Sequence, residues 1–119
     1  MKLDFMEDWP EERQKEVHEY LAGKRKVFDA KPEPVGTEFQ KAVWAEMSKI
    51  PYGQTRTYTE IAVAIGRPKA VRAVGTACGK NPFPIIIPCH RVVAKNGLGG
   101  YLYGLEMKKQ LLDLENVKY

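Results

Sequence analysis

The chain reads as a mostly α-helical domain with one short β element, and three observations predict it. Two capping boxes, Thr37-x-x-Gln40 and Thr57-x-x-Glu60, each stand before apolar residues at helical spacing. Breakers, Pro51-Tyr52-Gly53 and Gly66-Arg67-Pro68, close both of those segments. The apolar run Ile85-Ile86-Ile87, which leads into Pro88-Cys89-His90, is too short for more than a minor extended element.

The elements follow in order. Glu11 to Leu21 is polar and helix-prone, with Gly23 as its stop; Lys24 to Phe28 is a short strand or an extended link. Ala30 to Gly36, holding Pro32 and Pro34, reads as a linker, so the folded unit is expected to begin at Thr37. This divides the chain into 1–36, a helix and linker, and 37–119. The Thr37 helix presents Phe39, Val43, Trp44 and Met47, and the Thr57 helix turns Ile61, Ala62 and Ile65 inward. A second member of that pair, Lys69 to Gly79, buries Val71, Val74 and Ala77 or Cys78, leaving Lys69, Arg72 and Thr76 outside. Two short helices joined by a tight glycine-containing turn form a helix-turn-helix. Asn81-Pro82-Phe83-Pro84 interrupts regular structure, and a Gly-rich loop from Lys95 to Gly100 follows Arg91-Val92-Val93. A last helix, about Gly104 to Glu115, turns Leu105, Leu111 and Leu112 inward.

A chain of 119 residues with 44% hydrophobic content is the size of one globular domain. Met1 to Glu12 is acidic and lacks the pattern of a secretory signal, and no apolar run reaches membrane-spanning length. Cytosolic residence, or nuclear in a eukaryote, with Cys78 and Cys89 as reduced thiols, is the expectation. The charge is uneven: residues 1–40 carry 7 Lys/Arg against 10 Asp/Glu, and residues 41–119 carry 12 against 5. A phosphate backbone suits that basic part, although a solvated lysine-rich surface has the same composition.

The inventory of nucleophiles is small. Ser48 is the only serine and has no histidine near it in sequence, whereas Cys89 is followed directly by His90. Neighbours on an extended strand point to opposite sides, so a bridging water is the expected path between the two. His90, Arg91 and any nearby helix N-terminus would favour the thiolate. Glu115 lies three and four residues beyond Leu112 and Leu111, on the inward stripe of the last helix. A carboxylate buried there needs a partner, and His90 is the candidate. Cys78 reads as a small core residue, and two isolated cysteines and two histidines lack metal-site spacing.

From Thr37 to Glu115 the chain resembles the C-terminal domain of the O6-alkylguanine-DNA alkyltransferases. Pro88-Cys89-His90-Arg91-Val92, Asn81-Pro82 before it and Gly100-Tyr101-x-x-Gly104-Leu105 after it carry the resemblance. It implies a winged helix-turn-helix-like DNA-binding domain bearing the active-site cysteine. The implied reaction is an irreversible, single-turnover transfer of a methyl or small alkyl group from guanine O6, with thymine O4 as a second possible source, onto Cys89. His90 matches the base acting through water, Glu115 its orienting carboxylate, and Tyr58 the phenol that protonates guanine N3 and helps turn the nucleotide.

Arg72 matches the arginine that enters the duplex in place of the flipped base, and Asn81 the asparagine that braces the turn before the active-site strand. Lys69, Thr76, Lys80 and Arg91 are expected to join Arg72 and Tyr58 on DNA. Backbone carbonyls at Cys89 and Val92, with the loop Gly99 to Tyr103 that includes Gly100, Tyr101 and Leu102, match the base pocket. The implied partner is duplex DNA bearing O6-alkylguanine, docked through its minor groove by a monomer without metal or cofactor.

Two departures stand out. Only Tyr20 to Asp29 resembles the end of the family's N-terminal domain, and Leu102-Tyr103-Gly104 replaces a common Ser-Gly-Gly. A bulky Tyr103 over the pocket is expected to favour methyl over benzyl groups. A non-catalytic alkyltransferase-like protein would lack the cysteine, and a winged-helix regulator would not need the Cys89, His90 and Glu115 set.

Overall fold

A computed structural model describes residues 1–29 and 31–119; Ala30, first residue of the expected linker, lies outside the described residues. Both capping boxes form. In each, the threonine hydroxyl accepts the backbone N–H three residues on at 3.1 Å, and the Gln40 or Glu60 side chain accepts the threonine N–H at 2.9 Å. Satisfying orphan donors in this way starts α2 (Glu38–Met47) and α3 (Tyr58–Ala64) where the sequence places them.

The N-terminal helix α1 (Glu11–Leu21) ends at Gly23, whose φ of 76° suits a residue without Cβ. Lys24 to Phe28 forms no strand; Arg25 bridges to the Val27 carbonyl and to Glu16 and Glu19, which bends this segment back onto α1. Nor does burial start at Thr37, because Val17 and Tyr20 of α1 are fully buried against Ile85, Met107 and Leu111.

Helix α4 (Val71–Gly79) begins two residues later than its periodicity suggests. The Ala70 N–H bonds to the Arg67 carbonyl at 2.9 Å, so Pro68 and Lys69 occupy the tight turn between α3 and α4, and Lys69 is not on the helix. Its inward residues are Val74, Ala77 and Cys78. The strands are two residues each: β1 (Arg56–Thr57) pairs in parallel with β2 (Val92–Val93), Arg56 opposite Val92. This pairing brings the start of α3 beside the segment that follows Cys89.

The last helix, α5 (Leu105–Leu114), corrects one expectation: Leu105 is 46% exposed, while Lys108 is fully buried. Leu105 projects from the first turn at the rim, and the inward stripe runs instead through Lys108, Leu111, Leu112 and Glu115 at i, i+3, i+4 and i+7.

Two apolar clusters result. One joins α2, α3 and α4 to Ile87, Cys89 and Val92; the other joins the N-terminal segment to Ile85 and α5, with Tyr101 packed against both. The indole N–H of Trp44 crosses the first cluster to the Ala77 carbonyl at 2.8 Å, tying α2 to α4. Replacing Trp44 with Phe removes this tie while the carbonyl keeps the Lys80 N–H at 3.1 Å, an expected loss of about 0.5–1.5 kcal/mol. Denaturant unfolding should show a lower midpoint at unchanged slope.

Candidate active site

Between α4 and β2 the backbone is held tightly. Ile85 is buried at φ 75°, a conformation that costs a β-branched residue of the order of 1–3 kcal/mol. Asn81 compensates: its amide donates to the Ile87 carbonyl at 2.7 Å and its oxygen accepts the Phe83 N–H at 3.0 Å. Asn81 thus braces the turn that delivers Pro88 and Cys89. Ile85 and Ile86 form a turn where the sequence suggested an extended element, and beyond Pro88 the chain is not extended either. Cys89–Arg91 is one 3-10 turn, closed by the Arg91 N–H on the Pro88 carbonyl at 3.0 Å. The extended geometry expected for Cys89 and His90 is therefore replaced by a curl that puts both side chains inside the protein.

Glu115 is the hub of this curl. Its Oε1 accepts Nε of Arg91 at 2.9 Å and the Gly53 N–H at 2.9 Å. Its Oε2 accepts Nη2 of Arg91 at 3.0 Å, the ring of His90 through Nε2 at 2.7 Å and the Tyr20 hydroxyl. Although burial acts to raise its pKa, the bonds to His90, Arg91 and Gly53 hold the Glu115 carboxyl well below the usual carboxylate range. His90 is fully buried, and the loss of water lowers its pKa despite Glu115. A neutral imidazole beside an acceptor-only carboxylate keeps its proton on Nε2, an assignment that rests on this hydrogen-bond network. The lone pair is then on Nδ1, which has no hydrogen-bond partner among the described residues.

Cys89 is 7% exposed and lies at the edge of a cavity of about 300 Å³ shared with Tyr58, Gly75, Cys78, Gly79, Gly100, Tyr101 and Leu102. Burial pushes the Cys89 thiol above its ordinary value, while Asn81, Lys108 and Tyr101 pull the other way. The buried Tyr101 hydroxyl makes no hydrogen bond of normal geometry among the described residues, so its effect on the sulfur is that of a nearby dipole. The expectation that positive surroundings would prepare a thiolate is reversed: Arg91 is committed to Glu115, and desolvation dominates. Cys78 is pushed up to about 12 by burial and by Cys89, so it remains a thiol at the cavity wall.

The expected residues are distributed unevenly. Arg72, Thr76, Lys69 and Lys80 are exposed on and beside α4. Arg91 is not available to DNA: it is 6% exposed, with its guanidinium on Glu115 and on the Ile50 carbonyl at 2.8 Å. Tyr58, the first residue of α3, is half-buried, with its hydroxyl 3.4 Å from the Gly100 carbonyl. Gly99 has φ 73°, and a Cβ there would sit 2.7 Å from the Tyr58 ring, so the loop approaches Tyr58 only as glycine.

Of the expected base loop, Gly100, Tyr101 and Leu102 line the cavity, whereas Val92 is buried beneath it. Tyr103 is not in its lining; its ring packs on Phe5 at 5.1 Å and on Tyr101 at 5.8 Å. Leu102, 64% exposed, stands at the rim instead.

Lys108 is the residue that sequence reasoning passed over. Its Nζ donates to the Val92 carbonyl at 2.7 Å and the Gly100 carbonyl at 2.9 Å, and burial lowers its pKa to about 8. Its helical phase with Leu111, Leu112 and Glu115 was the available signal.

A small helical DNA-binding domain with a buried thiol, a buried histidine–carboxylate base and a base-sized cavity is the architecture of a DNA alkyl-transfer protein. The family model described as "6-O-methylguanine DNA methyltransferase, DNA binding domain" matches residues 38–117, and the chain belongs to that family of direct-reversal DNA-repair methyltransferases. It is 51% identical over 121 residues to the methylated-DNA–protein-cysteine methyltransferase of Methanosarcina acetivorans, covering 96% of this chain and 78% of that protein. The inducible methylated-DNA–protein-cysteine methyltransferase of Bacillus subtilis is 57% identical over 101 residues, 84% of this chain and 56% of that one. Among solved structures, Mycobacterium tuberculosis OGT in complex with DNA superposes with a TM-score of 0.86 at 46% identity, over 89% of this chain and 65% of that chain. The chain thus spans about two thirds of that solved structure. No described helix is long and apolar enough to cross a membrane.

The buried network sets the pH response. The folded Glu115 pKa lies below its unfolded value, so its contribution to stability is complete above about pH 4.3 and is lost as pH falls toward the folded pKa. His90, lowered on folding, costs stability from about pH 6.5 downward. Thermal unfolding should therefore show Tm falling in two stages on acidification. Glu115→Gln should abolish the lower stage and, by stranding the buried Arg91 charge, cost about 3–5 kcal/mol at neutral pH.

Proposed function

We propose that this chain repairs DNA by moving a methyl or small alkyl group from guanine O6 to the sulfur of Cys89, once per molecule. The observation that carries the reading is the buried Nδ1 of His90, unpartnered among the described residues, one residue from a thiol that faces a base-sized cavity. The sulfur attacks the alkyl carbon; a C–S bond forms as the C–O6 bond breaks, and the bond pair stays on guanine. The thiol proton leaves through water to Nδ1 of His90, whose Nε2–H remains on Glu115. Because burial disfavours a resting thiolate, this proton transfer accompanies the attack. Tyr58, kept protonated by burial, supplies the proton for guanine N3, as the family resemblance implies. A thioether has no leaving group for the reverse step, so the product is final.

The target base must leave the stack, at a cost of a few kcal/mol. Exposed Arg72, Lys69, Thr76 and Lys80 give α4 and its preceding turn a polar, basic outer surface suited to a backbone-tracking helix-turn-helix in the minor groove. A cavity of about 300 Å³ is at the small end of ligand pockets, which supports a single flipped nucleotide as occupant; the working unit in this reading is a monomer, acting where the genome resides.

Intact-mass measurement after mixing with an O6-methylguanine duplex tests this. One added methyl that disappears in Cys89→Ala is the expected result, and an unchanged mass for the wild-type protein contradicts the proposal.

A further inference from the structure

Tyr20 belongs to α1, outside the residues that the family model matches, yet it reaches the centre of the site. It is fully buried; its hydroxyl donates to Glu115 Oε2 and lies 3.4 Å from Nε2 of His90. A phenol offers a single proton, and Glu115 holds it. The ring is fixed by Phe28 at 5.6 Å and Tyr52 at 6.0 Å.

We propose that Tyr20 is a positioning residue of the alkyl-transfer relay: its hydroxyl fixes the Glu115 carboxylate and tempers its basicity, so that His90 stays neutral with Nε2–H on Glu115 and Nδ1 free for Cys89. The inference rests on the transfer reading for its consequence, though its geometry stands apart from it. Oε2 of Glu115 is shared by three donors, from Tyr20, His90 and Arg91. Each added donor spreads the carboxylate charge and weakens its pull on the imidazole proton. Without Tyr20, Glu115 would stabilise the imidazolium more strongly, and a protonated His90 cannot accept the thiol proton. The N-terminal segment then has a function in the chemistry.

The ionisable groups around His90 and Tyr20 come from every side. Tyr20 stands on α1, Tyr52 on the loop after α2, Cys89 and Arg91 on the same 3-10 turn, and Lys108 and Glu115 on α5. Arg91 and Lys108 both disfavour an imidazolium, and Glu115 alone favours it. Trimming Glu115 is accordingly the effective way to keep His90 neutral.

Histidine NMR provides the test, because the chain has only His18, which is exposed, and His90. In the wild-type protein, ring nitrogen shifts should report protonated Nε2 and bare Nδ1 for His90. In Tyr20→Phe, which keeps the ring, the His90 titration should rise by about half a pH unit or more. Single-turnover methyl transfer should then fall about threefold more at about pH 6 than at about pH 8. Tyr52→Phe removes a neighbouring hydroxyl that donates to the Leu114 carbonyl at 3.3 Å, and should lower Tm without moving His90. An Nδ1–H tautomer in the wild type overturns the proposal even if no variant folds. So does a Tyr20→Phe protein with the wild-type His90 titration and pH profile. A shifted His90 in a protein that never acquires a methyl group upholds the positioning role and removes the transfer reading instead.

Discussion

The carboxylate of Glu115 accepts five hydrogen bonds, from Tyr20, His90, Gly53 and twice from Arg91, and the rest of the molecule is arranged so that they meet. A lone carboxylate at this depth would cost several kcal/mol or take up a proton. Here α5 supplies the acid from its C-terminal end, the 3-10 turn supplies histidine and arginine from consecutive residues, and α1 and the Pro51-Tyr52-Gly53 turn close the remaining sides. Removing Glu115 strands the buried donors of Tyr20, His90 and Arg91, and removing Arg91 leaves the carboxylate without its balancing charge. The network therefore welds the N-terminal cluster to the helical cluster at the place where the chemistry occurs.

Under the proposed transfer, this arrangement accounts for a sulfur that is both buried and usable. Burial protects Cys89 from adventitious oxidation and alkylation, because an inert thiol predominates. The same burial strengthens every electrostatic interaction within the relay. A reagent of the right shape, positioned in the cavity, is then what triggers loss of the proton. On the proposed reading, selectivity for a base already turned out of the duplex would follow from cavity geometry without any need for sequence readout.

Much of this was legible in the chain. The capping boxes at Thr37 and Thr57 located two helices because their mechanism is local, two side chains and two N–H groups within four residues. Glu115 was found by phase, since an acid on a leucine stripe demands an explanation. Tyr20 was not, because its bond to Glu115 spans 95 positions and nothing near either residue announces it. Lys108 occupied an inward phase but was passed over because lysine is ordinarily solvated. Arg91 is no DNA contact because its partners, Glu115 and the Ile50 carbonyl, lie 24 and 41 positions away and leave no local mark in the sequence. The turn at Cys89 is not legible locally, because the strain at Ile85 and the clamp by Asn81 that accompany it are tertiary features.

The central claim is that Cys89 waits as a thiol and is deprotonated through His90 only as it reacts. Ultraviolet titration of thiolate absorbance in the DNA-free protein, with Cys89→Ser as the reference, tests it most directly. The account predicts no thiolate from Cys89 at neutral pH and titration only above the ordinary cysteine range. A thiolate already present at neutral pH, absent in Cys89→Ser, would contradict it.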